Sequence, residues 1–210
     1  MKAIQLSEQL KQFGAVRASQ ARASEALARY LRHSADAEVT THVWKAGKVA
    51  FEFLCPLMSD PTRYVVLSKG AWSYFLSNSR MEIPESVTIG VTAVEACDGI
   101  ALAAREEERR IQFYRAGKAI RQIECFYDDK WDYIETGSRL PFEMPKGGIP
   151  PRRQDRLTPE NVVAYFEAFT GQKFPDWHEL SQEPVRALDV SYRSLQFAPR
   201  TYPTLNDLSP

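Results

Sequence analysis

The hydrophobic positions of this chain recur with two spacings, and the change from one to the other divides it. Over residues 1–34, Ile4, Leu6, Leu10 and Phe13 form one apolar group, and Leu27, Tyr30 and Leu31 a second. Glu8, Lys11, Arg17, Arg22, Glu25, Arg29 and Arg32 lie between them. Apolar residues three and four apart, with charges on the remaining positions, describe an amphipathic helix. The segment predicts a helical leader that Gly14 divides in two.

Over residues 39–137 the period shortens to two. "VTTHVWKAGKVAFEFLCPL" reads as two β runs around an Ala46-Gly47 hairpin turn. "RYVVLS" reads as a short buried strand. Residues 69–78, with Trp72, Tyr74 and Phe75, fit either a helix or a strand. The β-branched residues of "ESVTIGVTAVEAC" favour a strand. In "RRIQFYRAGKAIRQIECFYDDKWDYIETG" the alternation is clearest. Ile111, Phe113 and Arg115 share one face, and Gln112 and Tyr114 the other. Turns at Ala116-Gly117 and Asp128-Asp129 complete a three-strand meander.

Residues 138–157 carry closely spaced prolines and glycines and read as a loop anchored by Leu140 and Phe142. Residues 158–171 read as a helix, with Thr158 as N-cap, Pro159 in the first turn and Gly171 as the stop. Residues 172–210 read as a tail wrapping over the core. The expectation is one α+β domain over residues 1–210: N-terminal helices packed on a mainly antiparallel sheet, then a C-terminal helix and an extended tail.

Composition narrows the function. The 210 residues include 27 basic and 27 acidic side chains. A balanced chain lacks the general positive field that nucleic-acid binding requires. No apolar run is long enough to span a bilayer, and the N-terminus lacks the apolar stretch of a signal peptide, so a cytoplasmic protein is expected. Cys55, Cys97 and Cys125 form no C-x-x-C pair and read as buried free thiols. The sequence leaves the oligomeric state open.

Motifs for assembled chemistry are missing. The chain has no G-x-G-x-x-G and no G-x-x-x-x-G-K-S/T, and "PKGGIPP" has no helix close enough to offer a phosphate its N-terminus. G-x-S-x-G is absent. Cys125 follows Glu124, an acid that raises a thiol pKa. His33, His42 and His178 are scattered, and Asp176 and His178 are two apart, a spacing that does not converge on one helix face. No cofactor and no metal is expected. "EEERR" at 106–110 reads as a solvated strand end.

One stretch concentrates chemistry. Residues 126–143, "FYDDKWDYIETGSRLPFE", set Asp128, Asp129, Asp132, Glu135 and Glu143 among Phe126, Tyr127, Trp131, Tyr133 and Phe142. Three readings stand. The acids can be a turn and the outer face of a strand. Tyr127, Asp128, Asp129, Trp131, Asp132, Tyr133 and Glu135 can form a surface that docks a protein partner. The carboxylates can serve a hydrolase or a metal-dependent nuclease. Arg152, Arg153 and Arg156 can bind phosphate or pair with the acids upstream.

Trp131, Tyr133, Gly137, Leu140, Pro141, Phe142 and Glu143 give W-x-Y-x-x-x-G-x-x-L-P-F-E. Asp155, Arg156, Leu157, Thr158, Pro159 and Glu160 follow, then Tyr165 and Gly171. This pattern, over residues 131–171, resembles the bacterial immunity proteins encoded beside polymorphic or type VI secreted toxins. The resemblance implies a non-enzymatic protein that neutralises a cognate toxin by binding it, the toxin being for example a nuclease with a basic cleft. Opposite charge would speed association, and Trp and Tyr would anchor it. The alternatives are a carboxylate-dependent hydrolase or nuclease using the 128–143 acids, and an adaptor or chaperone acting through the N-terminal helices.

Overall fold

A computed structural model describes residues 12–34, 36–44, 48–55, 62–79, 85–105, 107–143, 152–180 and 182–192. The first element is a strand, β1 (Gln12–Val16), followed by α1 (Gln20–Ser34), β2 (Ala37–Trp44), α2 (Lys48–Phe53), β3 (Arg63–Lys69) and β4 (Trp72–Ser77). Next come α3 (Glu85–Glu95), β5 (Asp98–Ala104), β6 (Glu108–Arg115), β7 (Lys118–Asp128) and β8 (Lys130–Gly137). After 3-10 turns at Pro141–Glu143 and Arg153–Asp155 come α4 (Pro159–Thr170), α5 (Trp177–Leu180) and β9 (Val185–Tyr192). The described strands form one sheet, β2-β9-β3-β4-β1-β5-β6-β7-β8. Every pairing in it is antiparallel. The architecture is α+β.

The sheet buries both faces. On one, α1 and α3 cover Val16, Tyr64, Val66, Phe75, Leu188 and Val190. On the other, α4 places Val162 and Phe166 against Phe13, Leu67, Tyr74, Leu102 and Phe113. Phe13 lies at the centre of this second face. Its ring meets those of Tyr74, Phe166, Phe174 and Trp177 edge-on at 5.0–6.0 Å, contacts that contribute about 0.5–1.5 kcal/mol each beyond area burial. No described helix is long and apolar enough to cross a membrane.

The helical leader is corrected. Residues 12–16 form a strand, buried at every position, between β4 and β5. A strand covered on both faces has no polar side, so its alternation vanishes and it can be mistaken for helix. Only α1 is helical there, and residues 1–11 lie outside those described. In the proposed Ala46-Gly47 hairpin, β2 stands, but the second run is the helix α2, and the turn itself lies outside the described residues. Residues 69–78 resolve in favour of a strand, β4.

The segment 85–95 is also corrected, from strand to helix. Val87, Thr88, Val91 and Thr92 are buried, while Ser86, Ile89, Ala93 and Val94 are exposed. That is a helical period, and packing overrides β propensity. Gly90 faces α1, where a β-carbon would overlap the Tyr30 ring. The tail is corrected too: residues 177–180 form α5, and β9 lies between β2 and β3. The last ten residues, and "PKGGIPP", lie outside the described part.

Other expectations hold. β3 is a buried strand, and β6, β7 and β8 form the meander. Ala116 and Gly117 both adopt positive φ, 47° and 76°, as a two-residue type I′ turn requires. Thr158 Oγ1 accepts from Asn161 N at 3.2 Å, and Gly171 closes α4 at φ 67°. Leu140 and Phe142 do anchor the loop on the core. Of the cysteines only Cys125 is buried; Cys55 and Cys97 are half-buried, and all three are free thiols.

Candidate functional site

The acid–aromatic stretch is the β7–β8 hairpin. Asp128 pairs with Lys130, and Asp129 forms the tip at φ 58°, a left-handed conformation that Asp adopts more readily than most residues. Register places Tyr127 across from Trp131, Cys125 across from Tyr133 and Ile123 across from Glu135. Ile123 and Cys125 belong to the aromatic core. Trp131, Tyr133 and Glu135 therefore point to the core side of the sheet, and Asp132 to the opposite side.

The aromatic residues are held from several directions. The Trp131 ring meets Tyr127 at 5.7 Å and 61°. The Arg109 guanidinium lies over Trp131, 4.7 Å from its centroid, and its Nη1 donates to the Gln154 carbonyl at 3.1 Å. Arg156 lies 5.3 Å over Tyr133. Burial, and then the nearby Glu135 carboxylate, push the Tyr133 phenol up to about 12. Cys125 Sγ donates to the Arg153 carbonyl at 3.6 Å, and burial raises its thiol pKa.

Three of the five acids are consumed by arginines. Asp132 accepts from Arg153 at 3.0 Å. Glu135 accepts from Arg121 at 2.6 Å and from Arg139 at 3.2 Å. Hydrogen bonding from Arg121 holds the Glu135 carboxyl below the ordinary carboxylate range. Glu143 is buried and takes Arg121 Nε on both oxygens, at 3.0 and 2.9 Å. Its Oε1 also accepts from Leu140 N at 2.9 Å, closing the 3-10 turn. Arg121 completes its set by donating Nη1 to the carbonyls of Thr136 and Gly137. Asp128 and Asp129 are exposed, and neither has a salt bridge among the described residues.

A bulge in β7 lies directly beside Arg121. Phe113 pairs with Arg121 and Tyr114 with Ala119, leaving Ile120 as the extra residue. Ile120 packs on the same aromatic core that Ile123 joins, so the shift of register lets both Ile120 and Arg121 serve one face. Sequence reasoning misses Arg109, Arg121 and the structural role of Glu143 because a charged side chain reads as solvated until its carboxylate partners, 14 and 22 residues further on, are placed beside it. The cue is Arg121 itself, a charged residue on the face that Ile123 and Cys125 make apolar.

The remaining candidates are placed elsewhere. The linker arginines do pair upstream in one case: Arg153 binds Asp132, whereas Arg156 stacks on Tyr133. Asp176 caps α5, accepting from His178 N at 2.9 Å. Within the charge run, Arg110 is less solvated than expected, since it contacts Glu85, Glu108 and Glu124 at 2.7–3.1 Å, and Glu106 lies outside the described residues. Among the described residues no three His, Cys, Asp or Glu side chains come together as a metal site.

No family model, no curated protein and no solved structure matches this chain. The hairpin's own geometry therefore carries the functional argument.

Proposed function

We propose that the protein is a cytoplasmic immunity protein that neutralises a cognate secreted bacterial toxin by direct, non-enzymatic binding through the β7–β8 tip. The observation that carries this reading is the division of labour in the hairpin. Arginines hold Asp132, Glu135 and Glu143, while Tyr127, 51% exposed, stands beside the exposed Asp128 and Asp129. Trp131 and Tyr133 act as struts behind this tip. A pre-ordered aromatic with free acids beside it loses little entropy on docking and steers a basic partner toward it. The docking residues thereby narrow from seven to Tyr127, Asp128 and Asp129.

A carboxylate enzyme fits the same site less well. A general acid needs a raised pKa at its working pH, and Glu135 is held down. The experiment is calorimetric titration of the purified chain with the product of the gene beside its own. The proposal expects saturable binding that Asp128→Lys with Asp129→Lys weakens, and protection of cells co-expressing both proteins. No heat and no protection would refute it.

A further inference from the structure

The sheet has two edges, and they differ. At β8 the 3-10 turn Arg153–Asp155 packs alongside, and Arg153 is tied to Asp132. At the other edge, β2 reads AEVTTHVW, with no Lys, no Pro and no Gly, and it pairs with β9 without a break over its whole length. Edge strands usually carry a charge, a proline or a bulge that blocks further pairing, and β2 has none of the last two and a lone acid.

The direction of its free backbone groups follows from its neighbour. Val190 N donates toward β3, to the Thr62 carbonyl at 2.8 Å. Even-numbered residues at this end of β9 therefore face β3, and odd-numbered ones face β2. Asp189 pairs with Thr40 and Ala187 with His42. Even-numbered residues of β2 thus bond to β9, and Ala37, Val39, Thr41 and Val43 direct their N–H and C=O groups outward. In agreement, the Val39 carbonyl accepts from Arg32 Nη2 at 2.9 Å, and a carbonyl keeps a second lone pair.

We propose that β2 pairs antiparallel with β2 of a second copy of this chain, about a twofold axis at Thr40, joining two sheets edge to edge. The outward residues then meet in hydrogen-bonded pairs, Ala37 with Val43 and Val39 with Thr41 of the second copy. Glu38 lies across from His42, a carboxylate facing an imidazole, twice by symmetry. Val43, 60% exposed in the single chain, gains Ala37 as a neighbour. A register centred on Thr41 overlaps equally but sets Glu38 across from Trp44. The β7–β8 tips lie at the far ends of the joined sheet, so the dimer stands or falls independently of their docking role.

Sedimentation velocity on the full chain, over a series reaching the upper micromolar range, tests this. The expected result is a monomer–dimer equilibrium. Thr41→Pro removes an outward N–H and leaves the β9 ladder intact. It should weaken the dimer by about tenfold or more, with the far-UV circular dichroism unchanged. Thr40→Cys should form a disulfide dimer under mild oxidation, since directly opposed side chains lie within reach, and Glu38→Cys should not. A monomer at every concentration, or preferential crosslinking through Glu38→Cys, would overturn the proposal.

Discussion

Arg121 and Glu143 form a buried ion pair in which two guanidinium nitrogens meet both carboxylate oxygens, Nε at 3.0 and 2.9 Å and Nη2 at 2.7 Å. The side chains are 2% and 3% exposed. The pair joins the bulge of β7 to the turn after β8 and so fixes the hairpin from its base.

Removing one partner of such a pair leaves the other charged and buried. Glu143→Ala should therefore destabilise the fold by about 3–5 kcal/mol, read as a lower urea midpoint with unchanged slope. Arg121→Met combined with Glu143→Leu should recover part of that loss, because neither buried charge is left without the other, while Glu135 keeps Arg139 alone. A small effect of Glu143→Ala alone would show that the ion pair contributes nothing net.

Glu135 connects the same network to pH. Its folded pKa is depressed by Arg121, so its contribution is complete above the ordinary carboxylate value near 4.5. It is lost as the pH falls through the depressed folded value. Glu135→Gln should flatten the acid side of the stability–pH curve and leave the neutral plateau lower. Thermal melts from pH 7 down to the acid limb measure both.

What the sequence discloses depends on whether an element keeps a polar face. The meander does: Gln112, Gln122 and Glu124 alternate with Ile111, Ile123 and Cys125, and turn residues with positive φ mark its ends. β1 does not, since Phe13 and Val16 are buried on opposite faces and no charge interrupts them. In α3, β-branched residues mask a helical period that only the packing of Val87 and Val91 under α1 enforces. At the site, the acids and aromatics are legible from composition. So is the pairing of a linker arginine, Arg153, with Asp132. Arg109 and Arg121 are not, because Arg109 comes from β6 and Arg121 meets Glu135 and Glu143 only once the hairpin and the turn after it have folded back.

Gly90 reverses an ordinary rule. In a helix interior Gly→Ala gains about 1 kcal/mol. Here the added methyl meets the Tyr30 ring of α1, so Gly90→Ala should lower the melting temperature. Adding Tyr30→Ala should make the Gly90→Ala step favourable, and a double-mutant cycle on urea melts reports the sign change.

Tyr74 is fully buried, and among the described residues its hydroxyl has no hydrogen-bond partner. Burial pushes its pKa up to about 12. A phenol whose folded pKa is raised supports the fold fully below its ordinary value near 10, and that support is lost as the pH climbs toward 12. An unpartnered buried hydroxyl costs about 1–3 kcal/mol. Tyr74→Phe should therefore be neutral or stabilising at pH 7 and should extend the alkaline limb, as differential scanning calorimetry at pH 7 and 10.5 would show.

Tyr127 and Trp131 touch, yet they should separate binding from stability. Tyr127 is half-exposed and supports little beneath it, so Tyr127→Ala should leave the melting temperature almost unchanged and weaken binding of the proposed toxin by more than about tenfold, as a hot-spot aromatic does. Trp131 carries the Arg109 cation–π contact, worth about 0.5–2 kcal/mol, and packs on the core. Trp131→Ala should therefore lower stability and binding together. Measured by calorimetry and thermal melts on the same preparations, equal losses of stability in both variants would mean that Tyr127 is a strut like Trp131, and that the docking surface lies elsewhere on the hairpin.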